Sequence, residues 1–207
     1  MVQIRFKKTL ALCFCLISCH FVFGQTTAVD LGLSVNWADR NVGAENPWND
    51  GLYFQWGDPS AQKDATDTFF DGGTMGDIVG SSKDMAKANM GGNWRMPTSD
   101  ELKELKENCR WEIERRNGVS GFKVTGKNGA SIFIPATGSY DRGVFSTDQG
   151  AGLWSGSFNQ KWKKIDFMLV WVQDLDDTSL NKSIVNVRQA TMRYKFNVRA
   201  VCEKGIK

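Results

Sequence analysis

The chain has 207 residues, 41% of them hydrophobic, which is enough for one domain with a sizeable core. Its 26 Lys+Arg exceed its 23 Asp+Glu by three, and those three bases are Arg5, Lys7 and Lys8, so from Gln25 onward the two signs balance at 23 each. A neutral folded portion lacks the electrostatic footprint of a nucleic-acid-binding protein, and no nucleic-acid partner is expected.

The basic start leads into an apolar run over residues 10–23, broken only by Ser18, His20 and a few cysteines. Such a run suits the apolar region of an export signal and is too short for a stable transmembrane anchor. Residues 1–24 are therefore expected to be a signal peptide. Residues 25–207 then form a single exported domain, periplasmic, at the cell surface or secreted. Two ends to the signal stay open. Val22-Phe23-Gly24 permits ordinary cleavage before Gln25, whereas Leu16-Ile17-Ser18-Cys19 resembles a lipobox in which Cys19 is lipidated. Only the second reading attaches the protein to a membrane. Apolar residues continue past Cys19 through Phe23, which favours the first.

In chain order, residues 29–38 alternate loosely and are rich in strand formers, so they read as one or two short strands; 52–56 reads as another. Residues 58–80 are polar and glycine-containing, a long surface loop. Ser81, with Asp84 three residues on, is expected to open a short helix that Gly91-Gly92 ends. Thr98-Ser99-Asp100-Glu101 is a capping box, and Leu102 and Leu105 follow on one face, which predicts a second helix over 99–108. Beyond Cys109 the pattern turns to strands. Residues 121–125 and 131–135 flank Asn128-Gly129, a strong hairpin signal. Residues 152–155 form a short strand, 167–175 the most apolar one, 184–188 its partner, and 196–202 the last. Two short helices early and a mainly antiparallel set of short strands make an α+β domain.

Cys13, Cys15 and Cys19 belong to the signal. The remaining pair, Cys109 and Cys202, reads as one disulfide in an oxidising compartment, with two separate thiols as the alternative. The single histidine, His20, also lies in the signal, so the folded portion has no imidazole for a Ser-His-Asp triad or a zinc site. No spacing singles out an acidic pair for glycoside hydrolysis. Asp71-Gly72-Gly73-Thr74 lacks the lysine and the strand–loop–helix setting of a phosphate loop. No catalytic residue, metal or cofactor is expected.

All eight tryptophans follow residue 24. Trp37, Trp56, Trp94 and Trp154 have small or apolar neighbours and read as core, as do Trp111 and Trp171. Trp162 is different. It stands in Asn159-Gln160-Lys161-Trp162-Lys163-Lys164, where nothing local calls for burial. An open aromatic ring among amides and cations suits stacking on a sugar or anchoring a protein interface. Asn159, Lys161, Trp162 and Lys163 are accordingly candidate ligand-binding residues, with a Trp162 folded back onto the domain as the alternative.

Several separated blocks resemble one family. They are Val29-Asp-Leu-Gly-Leu-Ser-Val-Asn-Trp37-Ala with Asn41-Val-Gly-Ala44, Gly51-Leu-Tyr-Phe-Gln-Trp56-Gly57, and Gly91-Gly-Asn-Trp94-Arg-Met-Pro-Thr98. Further on come Gly121-Phe-Lys-Val-Thr-Gly126, Ser131-Ile-Phe-Ile-Pro-Ala136, Leu153-Trp-Ser-Gly-Ser157 and Asn197-Val-Arg-Ala-Val201. Together they resemble the Fibrobacter succinogenes major paralogous domain, a family of exported bacterial modules. The resemblance implies a C-type-lectin-like fold related to that of formylglycine-generating enzymes, whose Arg-Leu-Pro-Thr segment is echoed by Arg95-Met96-Pro97-Thr98. It also implies a long-range disulfide from the helix end at Cys109 to the last strand at Cys202, a closure that would stabilise the fold by roughly 4–5 kcal/mol.

Trp48-Asn49-Asp50 spells a tripeptide with which calcium-dependent lectins hold metal and sugar, but it precedes both helices instead of following them. One Asn and one Asp give too few oxygens for an ion that takes roughly six to eight, so a solvated turn before Gly51 is expected. Asp174, Asp176 and Asp177 read as a polar strand end. The expected function is a non-catalytic envelope or secreted module that binds glycan or protein through the surface between residues 138 and 164. A structural component of a surface appendage is the alternative. An enzyme relative of the formylglycine-generating branch is remote, because it would need thiol chemistry that a single disulfide cannot supply.

Overall fold

The computed structural model describes residues 25–60, 75–141, 144–146, 150–172 and 185–205. Residues 1–24, expected to be an export signal and including Cys19, the Asp71-Gly72-Gly73-Thr74 segment and the Asp174, Asp176 and Asp177 cluster lie outside the described residues.

Two short helices and mainly antiparallel sheets make up the described chain. In order, β1 is Ala28–Val29, β2 Asn36–Ala38, β3 Phe54–Gln55, α1 Met85–Met90, α2 Ser99–Asn108, β4 Arg110–Arg116 and β5 Val119–Thr125. Then follow β6 Ser131–Pro135, β7 Ser139–Asp141, β8 Val144–Ser146, β9 Gly150–Asn159, β10 Lys164–Trp171, β11 Val185–Ala190, β12 Tyr194–Phe196 and β13 Val201–Cys202. They form sheets in the orders β1-β2-β13, β11-β10-β9, β3-β12-β7-β8 and β4-β5-β6.

The second helix begins and ends where its capping box predicts. Thr98 accepts from the Glu101 N–H at 3.2 Å, and the Glu101 carboxylate accepts from the Thr98 N–H at 2.7 Å, so both halves of the box are made. The first helix starts three residues later than a cap at Ser81 implies. Ser81 stays in the preceding turn, donating its hydroxyl to Ile78 O, while Asp84 is the cap and accepts from the Lys87 N–H. Asp84 wins because its carboxylate is buried and also serves Gly80 and Met96, contacts a hydroxyl could not span.

Strands depart further from expectation. β4 carries five charged residues yet holds a seven-residue antiparallel register with β5, so pairing overrides its composition. β9 runs ten residues, well beyond 152–155, because β10 pairs along nearly its whole length. The last predicted strand is split between two sheets, since residues 197–200 spend their backbone groups on several partners. Asn197 O accepts from Trp154 N–H, Val198 O from Val42 N–H, and Ala200 O from Ala38 N–H.

The β9–β10–β11 sheet separates two cores, as strand alternation requires. Met168, Val170 and Val172 face a cluster with Leu102, Leu105, Phe122 and Trp37, whereas Ile165 and Phe167 face Trp56, Trp154 and Phe196. In the second cluster Phe196 stacks on Phe167 at 4.6 Å between centroids. The indole N–H groups of Trp56 and Trp154 donate to Ser155 O and Phe54 O, so neither buried ring strands its donor.

Two aromatic expectations need correcting. Trp171 is not core but half exposed, because it lies across from Gly150, which has no side chain to cover it. Trp94 is only partly buried, its neighbours Gly91 and Gly92 likewise offering no cover. The disulfide that the resemblance implies is not formed in this structure, in which Cys109 and Cys202 are thiols. Val201 packs in the same cluster as Cys109. Alternation along β13 therefore turns Cys202 to the other face, opposite Asn36.

Candidate functional site

The predicted ligand residues are brought together at one turn. β9 and β10 form a hairpin closed by the Asn159 and Lys164 pair, so Gln160, Lys161, Trp162 and Lys163 make its tip. Asn159 shapes the turn by accepting the Trp162 N–H on Oδ1 at 3.2 Å. Lys163 takes a left-handed conformation, φ 51°, a cost that a four-residue turn imposes on whichever residue closes it. Its ammonium donates to Gln160 Oε1 at 3.1 Å.

Trp162 is 58% exposed at this tip, and the Lys161 ammonium lies 5.0 Å from its ring centroid. That cation–π contact sets a positive charge against the indole. Lys161, Lys163 and Lys164 give the turn three cations within four residues. The carboxylate within two residues, Asp166, is buried and engaged with Gln189 Nε2 at 2.9 Å. The tip therefore presents an aromatic plane and positive charge together, with the nearby acid turned inward.

The second exposed tryptophan, Trp171, lies at the far end of the same strand. At about 3.3 Å per residue, β10 puts roughly 25 Å between the two rings. Trp171 borders a hollow of about 40 Å³ lined by Gly138, Gly150, Gly152 and Leu169. Sequence reasoning missed it because an apolar strand reads as buried throughout; the cue was the glycines across from it.

A larger open cleft of about 440 Å³ lies between Gln25, Thr26, Gly43, Ala44, Asn89, Met90 and Trp94. It too went unforeseen, since its walls come from three separate segments. None of its described lining side chains is charged.

The Trp48-Asn49-Asp50 segment is a hydrogen-bonded turn. Asn49 Oδ1 accepts from the Asn46 N–H at 3.1 Å, and Asp50 O accepts from the side chains of Asn41 and Asn197. Among the described residues no group of three or more His, Cys, Asp or Glu could hold a metal ion.

Buried polar groups elsewhere serve the fold. Arg199 is fully buried and donates to Ala38 O at 3.2 Å and Phe133 O at 2.9 Å. Burial pushes its guanidinium down to about 9, against the opposing pull of Asp39. Arg95 makes a two-pronged pair with Glu101 and reaches Glu203 at 2.6 Å, tying the start of α2 to the chain end. Among the described residues no helix is long and apolar enough to cross a membrane.

No family model matches the chain, and neither a curated protein nor a solved structure matches it.

Proposed function

We propose that residues 25–207 form an exported, non-catalytic module of the major-paralogous, C-type-lectin-like type that binds its ligand through the β9–β10 hairpin tip. The exposed ring of Trp162, with Lys161 against it, carries this reading. An indole plane matches the apolar face of a pyranose, and the lysines favour a sugar bearing carboxylate or sulfate. The fold assignment rests on the sequence blocks and on the α+β arrangement of short strands after two helices.

A glycan array and a pull-down with the mature domain test the proposal. Acidic glycans should be enriched, and binding should weaken with salt. Trp162→Ala should lower affinity at least tenfold and shift stability by less than about 0.5 kcal/mol, as expected for an exposed residue. If neither sugars nor proteins are enriched, the binding reading fails.

A structural role in a surface assembly is the second reading, and Trp171 favours it. Two open tryptophans at opposite ends of one hairpin suit contacts with two neighbours. Concentration-dependent assembly that Trp171→Ala abolishes, with no glycan bound, would establish it.

A further inference from the structure

We propose that Gln25, once freed by signal cleavage, closes to a pyroglutamate whose lactam ring seats in the cleft beside Trp94. The proposal rests on ordinary cleavage before Gln25 and on no other part of the functional reading.

Three observations lead there. The first is that the chain start is held in place. Thr27 N–H donates to Asp39 Oδ1 at 3.1 Å, and Thr27 O accepts from Asp39 N–H at 3.0 Å. β1 then pairs with β2 through Ala28 and Ala38 and through Val29 and Trp37. Gln25 and Thr26 consequently line the 440 Å³ cleft together with Asn89, Met90 and Trp94.

The second is the cleft's charge. Among the described residues its lining offers amides, a hydroxyl, backbone and apolar surface, with no carboxylate. An α-ammonium at Gln25 would find no counter-ion among these described lining residues, and Asp39, which holds Thr27, is already paired with Arg40 at 2.8 Å. A neutral lactam suits this lining better. Its methylenes can lie on Trp94 and Met90, and its N–H and ring carbonyl meet the polar groups of Asn89 and the backbone.

The third is the side chain itself. Gln25 is exposed, so its amide is free to fold back on its own amine. The α-amine, with an ordinary pKa of about 8, is partly unprotonated at neutral pH and attacks the side-chain Cδ. The N–Cδ bond forms, the Cδ–Nε2 bond breaks, and the amine proton leaves with the departing nitrogen as ammonia. Nothing is oxidised or reduced, and no co-reactant is consumed.

The test uses the full chain exported by a bacterium through its own leader. The mature protein should have the mass of residues 25–207 less one ammonia and give no Edman signal. After pyroglutamyl aminopeptidase it should read from Thr26. Gln25→Ala should restore an open amine at the same position and move the Trp94 indole N–H resonance, assigned with Trp94→Phe. A mature chain that keeps a free Gln25 amine after prolonged incubation at mildly alkaline pH overturns the cyclisation while leaving the cleavage site standing. An N-terminus elsewhere, or an acylated Cys19, overturns both. A blocked Gln25 with an unmoved Trp94 resonance refutes the seating.

Discussion

The carboxylate of Asp84 accepts the backbone N–H of Met96 on both oxygens, at 3.1 and 3.0 Å, and both residues are fully buried. The same carboxylate caps α1 through Lys87 N–H and takes Gly80 N–H at 2.8 Å. One side chain thus fixes the turn before the helix, the helix start and the segment that enters α2.

Removing it should be costly. Asp84→Ala loses the cap and leaves the part-buried donor of Gly80 and the fully buried donor of Met96 unpaired, an expected loss of about 3–5 kcal/mol. Asp84→Asn should recover only part, since its amide brings a donor where donors already converge. Chemical denaturation of the two variants checks the order.

The Arg95 and Glu101 pair predicts an acid-sensitive helix start. Burial pushes Glu101 upward, but hydrogen bonds from Arg95 and from Thr98 outweigh it and hold the carboxyl below its ordinary range. A depressed carboxyl contributes stability above its unfolded pKa of about 4.3 and loses it as pH falls through the folded value. Denaturation midpoints should therefore drop below about pH 4, and Arg95→Met should flatten that dependence relative to the unaltered protein. Equal slopes in the two proteins would assign the acid transition to other carboxylates.

The Asn128-Gly129 hairpin should fail through its neighbour rather than its turn. Asn128 Nδ2 donates to Asp30 O at 2.7 Å, which docks the turn on residues 30–32. A Cβ added at Gly126 would come within 2.0 Å of Leu31 O, and that atom is backbone and cannot swing aside. Gly126→Ala should cost about 2–3 kcal/mol by overpacking, whereas Gly129→Asn, at a left-handed position with open space around it, should cost less than about 1 kcal/mol. Thermal unfolding of both variants distinguishes the docking contact from the turn.

The two cysteines should alkylate as separate thiols. Burial pushes the Cys202 thiol upward, with a hydrogen bond from Asn36 opposing it. Labelling of the native protein at Cys202 should therefore be slow near neutral pH and quicken as pH rises, because the thiolate is the nucleophile. Cys109, 2% exposed, should label only after denaturation. Recovery of one peptide joined through Cys109 and Cys202 would instead establish the bridge that the family resemblance implies.

Local chemistry was legible in the residues themselves. Thr98 and Glu101 define the start of α2 because a capping box needs only four consecutive residues. Asn128-Gly129 announced its hairpin for a similar reason, since a glycine in a left-handed turn is a local requirement. The polar surroundings of Trp162 likewise pointed to an open ring, and it is 58% exposed. What only the tertiary structure decided depends on residues distant in sequence. Trp171 is open because Gly150, reached across the sheet, covers nothing, and on β13 it is Val201 rather than Cys202 that takes the inward position. The cleft beside Trp94 exists because β1 pairs with β2 and carries Gln25 to a wall made by two other segments. Periodicity reports which residues seek burial, but strand pairing decides which of them find a neighbour large enough to bury them.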